Sequence, residues 1–126
     1  MTSPNESETV EYIAIVGMAT RLPGAPDLES FWELLKSSQQ AIKSFSEKEL
    51  LEQGLDLQTI RDPKFVSAKG YLPNVDQFDA PFFGFSPREA SLVDPQHRVM
   101  MEVAWQAMEH AGYDPEQWDG RCAIFT

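Results

Sequence analysis

The apolar run IAIVGMA at residues 13–19 is the sequence feature that most constrains the fold. It is short, rich in β-branched residues and followed at once by the loop TRLPGAP, so it favours a strand buried on both faces. Asp27 is a suitable N-cap for a helix over residues 28 to about 38. The apolar residues of that helix form one stripe, made by Leu28, Phe31, Trp32 and Leu35. A strand, a loop and a helix in this order predict an α/β domain.

The middle of the chain contains one short helix and a long irregular stretch. Ser46 and Glu49 have the spacing of a capping box, and Gly54 is placed to end the helix that they begin. Residues 56–85 have no clear periodicity but carry six aromatic side chains, which predicts a folded excursion pinned by buried rings. These rings are Phe65, Tyr71, Phe78, Phe82, Phe83 and Phe85.

Two helix starts and a terminal apolar run follow. Ser86-Pro87-Arg88-Glu89 places an N-cap, a proline and a capping-box glutamate in register. Asp94-Pro95 begins a longer helix that should end before Gly112 and, being apolar or small on much of its surface, should be well buried. The segment RCAIFT at residues 121–126 predicts the start of a second buried strand.

Composition indicates a soluble cytoplasmic chain without nucleic-acid or membrane partners. Its 126 residues include 20 acidic and 10 basic side chains, a formal charge of −10 that repels phosphate backbones and anionic lipids. Residues 1–10 are expected to form a flexible acidic tail without the features of a secretory signal. No apolar run approaches the roughly 20 residues that cross a bilayer. The single cysteine fits a reducing compartment.

The residue pattern alone gives no catalytic, cofactor-binding or metal-binding residue. Cys122 lies in an apolar run and is expected to be a buried structural thiol. His97 and His110 lie at opposite ends of one predicted helix, too far apart to share a metal ion. His97 is expected to bond to nearby backbone or side-chain groups and His110 to interact with the helix dipole. Gly17 and Gly24 match no phosphate-binding motif and are expected to serve a tight strand exit.

The ordered motifs resemble the start of polyketide-synthase ketosynthases. IAIVGMATRLPGAPDLESFWELL is similar to the family's first strand, its R-x-P-G loop and its first helix. FDAPFFGFSPREASLVDPQHR resembles the S-P-R-E-A and D-P-Q-x-R signature, and VMMEVAWQAMEHAGYDP the helix after it. Phe85, Val93 and Cys122-Ala123 depart conservatively from the pattern. The resemblance assigns residues 11–126 to the N-terminal part of a beta-ketoacyl synthase domain, ending before the active site.

The resemblance implies a thiolase-like layered α/β fold, of which only the first part of the N-terminal half is present, in a homodimeric parent. The family extends acyl chains by decarboxylative Claisen condensation on thioesters of an acyl carrier protein, whose phosphopantetheine presents the substrates. Its nucleophilic cysteine lies in a D-T-A-C-S-S motif, and its histidines in H-G-T-G-T and G-H-x-x-x-A-x-G motifs. None of these motifs occurs here, so no catalytic residue is carried over to this chain.

Two alternatives stay open from the sequence. One is a truncated, non-catalytic interaction module that pairs with a ketosynthase or a carrier protein. The other is part of a fatty-acid or polyunsaturated-lipid ketosynthase, although the SPREA and DPQHR combination favours the polyketide class.

Overall fold

The structure is a computed structural model that describes residues 12–125. It contains seven short elements in chain order: α1 Leu28–Lys36, β1 Ile42–Ser44, α2 Glu47–Glu52, α3 Leu57–Ile60, β2 Ala68–Gly70, α4 Pro87–Leu92 and α5 Pro95–His110. Strands β1 and β2 pair antiparallel, with Lys43 directly opposite Lys69. The predicted acidic tail at residues 1–10 lies outside the described residues.

The predicted helix starts are confirmed because each depends on side chains within three residues of the first turn. Asp27 Oδ1 accepts the Ser30 N–H at 2.8 Å and begins α1. Complete capping boxes form at two further predicted sites, where Ser46 pairs with Glu49 and Ser86 with Glu89. These bonds satisfy amide groups that a helix end would otherwise leave without partners.

The long helix α5 also begins and ends where the sequence predicts. Asp94 Oδ1 accepts the Gln96 N–H at 2.8 Å, and Pro95 occupies the first turn. The helix ends at His110, and Gly112 follows with a φ of 76°, a left-handed conformation suited to glycine. The prediction of a well-buried helix is wrong, because none of its residues is buried. Within the described residues α5 is contacted by loops and not by another helix or strand.

Both predicted buried strands are wrong within the described residues. Residues 12–20 and 121–125 have no strand assignment, and Ile13 and Phe125 are 96% and 94% exposed. A strand forms only against the free edge of a neighbour, and the sheet found in residues 12–125 consists of β1 and β2 alone. Thr126, the last residue of the second predicted strand, lies outside the described part of the chain.

The aromatic stretch at residues 56–85, the predicted excursion, is folded, but its rings are not deeply buried. It contains α3 and β2, two elements that the sequence pattern does not predict. Phe78 stacks on Phe83 with centroids 5.1 Å apart and meets Phe85 edge-on at 5.8 Å. All three rings keep partial exposure, so the expectation of buried rings is wrong while the expectation of a ring-pinned segment is confirmed.

The most buried side chains in residues 12–125 are few and small in total volume. Phe45 directly follows β1 and Leu50 lies in α2, whereas Ala25 and Ala80 lie in turns. Phe45 contacts the edge of Tyr71, and the ammonium groups of Lys43 and Lys69 lie 4.7 and 5.0 Å from its ring centroid. The two like charges therefore share one aromatic ring, which offsets their repulsion across the ladder.

Replacement of Glu49 should change the pH dependence of stability. Its pKa is lowered to about 2, mainly because the Ser46 backbone N–H donates to the carboxylate, with a further contribution from Lys43. A lowered folded-state pKa contributes stability that is complete above the ordinary value of 4.5 and is lost as the pH falls towards 2. The stability difference between wild type and Glu49→Gln, measured by thermal unfolding, should therefore shrink across this range.

Glu52→Gln is the matched control, since it makes the same charge change on α2 outside the capping box. A Glu49→Gln difference that stays constant from pH 6 to pH 2 would contradict this account.

Candidate functional site

Cys122 is exposed, so the expectation of a buried structural thiol is wrong. The thiol lies in residues 121–125, which form no strand that could cover it. Within residues 12–125 no hydrogen bond joins it to either histidine. A nucleophilic cysteine needs a neighbouring cation, base or helix N-terminus to stabilise its thiolate. In the described residues, neither histidine is bonded to the thiol as such a base.

The two histidines lie at opposite ends of α5, as the sequence predicts. Thirteen residues of helix separate them by about 20 Å at the usual rise per residue. His97 lies in the first turn, where its own backbone N–H donates to the Asp94 carbonyl at 3.0 Å. His110 is the last helical residue, and its Nδ1 accepts the Met18 backbone N–H at 3.0 Å. In the described part of the chain, no group of three or more potential ligands could hold a metal ion.

Gly17 allows the first segment of the chain to approach α5 closely. A Cβ built on it would lie 2.3 Å from the Ala107 carbonyl oxygen and 2.7 Å from the Ala111 Cβ. These separations are too short for any side chain, so the glycine is required by packing against a helix. This contact explains Gly17 better than the strand exit expected from sequence.

Gly24 has a different role, in a tight turn. Residues 22 and 25 exchange both backbone hydrogen bonds, with Leu22 N–H donating to Ala25 O at 2.9 Å and Ala25 N–H to Leu22 O at 3.0 Å. Pro23 occupies the second turn position, and Gly24 the third with a φ of 71°. This conformation is the one in which glycine is favoured in a type II turn.

Arg21 and Glu102 form an ion pair that no sequence motif indicates. Their side chains retain 26% and 23% exposure, so both charges are largely removed from water. Two residues so far apart in sequence give no local signal of their contact. The pair fixes the loop after residue 20 to the middle of α5, where desolvation makes an unpartnered charge costly.

A shallow groove of about 470 Å³ lies beside this ion pair. It is lined by residues from the first loop, the aromatic excursion and α5, namely Arg21, Phe82, Phe83, Glu102, Trp105 and Glu109. Phe82 meets Trp105 edge-on with centroids 4.6 Å apart, which holds the excursion against the helix. The groove offers carboxylates and aromatic faces, but its lining contains no cysteine, serine or histidine for covalent chemistry.

A second groove, of about 300 Å³, is almost wholly apolar. Leu72 and Val75 form one wall, and Pro95, Val99 and Met100 of α5 form the other. Such a surface suits an apolar segment more than a polar ligand. The two grooves together indicate packing surfaces around α5.

Gly17→Ala should destabilise the chain by about 1–3 kcal/mol, because the added methyl group has no space against α5. Denaturant unfolding measures the change. Ala14→Ser, a change of similar size at an exposed position of the same segment, should have little effect. Equal effects of the two substitutions would show that the close approach of Gly17 to α5 is not important.

Comparison with protein families gives a match to the model described as "Beta-ketoacyl synthase, N-terminal domain", over residues 10–126. The chain is 44% identical over 113 residues to a phenolphthiocerol/phthiocerol polyketide synthase of Mycobacterium tuberculosis, covering 90% of the chain and 8% of that protein. It is 40% identical over 119 residues to the pikromycin polyketide synthase component PikAII of Streptomyces venezuelae, covering 88% and 3%.

Comparison with solved structures also gives ketosynthases of polyketide synthases. Ketosynthase twelve of the bacillaene polyketide synthase from Bacillus amyloliquefaciens aligns with a TM-score of 0.68 and 36% identity, over 76% of this chain and 17% of that one. The ketosynthase from module 6 of the Bacillus subtilis bacillaene synthase aligns with a TM-score of 0.67 and 36% identity, over 80% and 17%. The chain thus spans less than a tenth of these curated relatives and about a sixth of the solved ketosynthases. Among the described helices, none has the length and apolar character to span a membrane.

Proposed function

Because the chain belongs to the beta-ketoacyl synthase family, as its N-terminal domain, we propose that it is the first part of a ketosynthase in a type I polyketide synthase. The parent extends acyl chains by decarboxylative Claisen condensation on carrier-protein thioesters. The observation that supports this proposal most strongly is the match over residues 10–126 together with the identity to polyketide synthases along most of the chain.

The exposed apolar surface supports a larger parent domain. Ile13 and Phe125 are almost fully exposed, and the groove along α5 is lined by aliphatic residues. Exposed apolar surface that lines a groove usually marks an interaction face, because its exposure to water is unfavourable. In the proposed parent, the remainder of the ketosynthase domain covers it.

The proposed chemistry is supplied by residues outside this chain. A cysteine thiolate attacks an acyl thioester and releases the phosphopantetheine thiol, which leaves the acyl group on the sulfur. A malonyl-type thioester then loses carbon dioxide with the help of two histidines, and its carbanion attacks the acyl carbonyl and expels the cysteine thiolate. The motifs that hold these three residues in the family do not occur in residues 1–126. The chain by itself is therefore proposed to be inactive.

The partners proposed for the parent follow from the same family membership. They are an acyl carrier protein that presents phosphopantetheine, acyl and malonyl thioesters, and a second copy of the ketosynthase in a homodimer. The formal charge of −10 argues against nucleic acid and anionic membranes as partners of this part. A cytoplasmic location is proposed because the use of a single cysteine suits a reducing compartment.

Cys122 should react with thiol reagents but not with acyl thioesters. Its exposure makes it available to iodoacetamide, whereas in residues 12–125 it is bonded to neither histidine, and an acyl acceptor of this family needs such a partner. The 126-residue chain is incubated with iodoacetamide or with an acyl thioester, and its intact mass is measured. The first reagent should give carbamidomethylation and the second no acyl adduct. Near-stoichiometric acylation that disappears in Cys122→Ser would contradict the proposal that this part is inactive.

A further inference from the structure

The last residue of α5 holds the first segment of the chain through a bond that only one protonation state can make. The Met18 backbone N–H donates to His110 Nδ1 at 3.0 Å. An imidazole nitrogen accepts a hydrogen bond only when it carries no proton, so the ring that makes this contact is neutral, with its proton on Nε2. Protonation of Nδ1 converts the acceptor into a donor that faces another donor.

The hydrogen bond between Met18 and His110 lies next to a close approach of the backbone to α5. Gly17, the residue before Met18, lies against the Ala107 carbonyl and Ala111 at the end of α5. Residues 17 and 18 are therefore fixed by one close van der Waals contact and one hydrogen bond. Loss of the hydrogen bond leaves the close contact of Gly17 with the end of the helix in place.

The imidazole is accessible to solvent and lies beside acidic side chains. His110 is exposed and lines a cavity of about 330 Å³ together with Thr20, Asp27 and Glu29. Asp27 and Glu29 are contributed by the start of α1, and Glu109 precedes His110 on α5, whereas residues 17–20 carry no titratable side chain.

We propose that His110 is a proton-sensitive clasp that holds the Met18 amide against the end of α5 when neutral and frees that amide when protonated, while Gly17 and Arg21 keep their own contacts with the helix. The clasp belongs to the chain itself and holds whether or not the parent condenses acyl thioesters.

Hydrogen–deuterium exchange of the Met18 amide tests the clasp in the protein at its natural full length. Rates are corrected for intrinsic exchange and expressed as protection factors at about pH 5 and pH 8, the limits of the histidine range. In wild type, protection should fall by roughly three- to tenfold on acidification, the range expected for loss of one hydrogen bond. In His110→Asn, whose amide oxygen accepts at either pH, protection should be independent of pH.

His110→Leu, which has no acceptor, should give low protection at both pH values. His97→Asn is the matched control, since it removes the other histidine of α5 and should preserve the wild-type pH response. Constant protection in wild type, or an equal fall in wild type and His110→Asn, would overturn the proposal.

Discussion

The attachment of the first loop to helix α5 is the constraint on which the arrangement of the described residues depends. The Arg21–Glu102 ion pair joins the loop to the middle of the helix, and Gly17 packs against its last turn. Phe82, in the aromatic stretch, contacts the same helix at Trp105. Because no other helix or strand of the described chain packs on α5, these loop contacts determine where the grooves lie. One largely desolvated ion pair and one close glycine contact thus hold the first loop against α5. In a larger domain a buried core would have this role.

The parts of the fold that could be predicted from sequence are those determined by neighbouring residues. Asp27, Ser46, Ser86 and Asp94 all cap helices as expected, because a cap needs only a side chain and an amide two or three positions ahead. Strands depend on distant partners instead. Residues 13–19 have the composition of a buried strand but no neighbouring edge in the described residues, whereas Ile42–Ser44 pairs with Ala68–Gly70 despite giving no strand signal in three residues.

In the candidate site, too, the features set by local geometry could be predicted from sequence and the long-range contacts could not. The separation of His97 and His110 follows from helix geometry and was predictable. The exposure of Cys122 was not, because it depends on whether a strand covers the thiol. Arg21 and Glu102 meet across 81 residues, and Gly17 meets α5 across a similar span, so no local pattern signals either contact. The family resemblance succeeds where local physics does not, because ordered motifs carry the long-range information. The ketosynthase fold that it implies is confirmed by the solved structures.

The central claim is that these residues are the first part of a working ketosynthase domain. Intact-mass measurement of the native protein, with peptide sequencing through and beyond position 126, tests it most directly. We expect a much larger polypeptide that continues into a D-T-A-C-S-S motif. A native mass of 14.2 kDa, that of residues 1–126 alone, would contradict the claim and leave a chain without condensing activity.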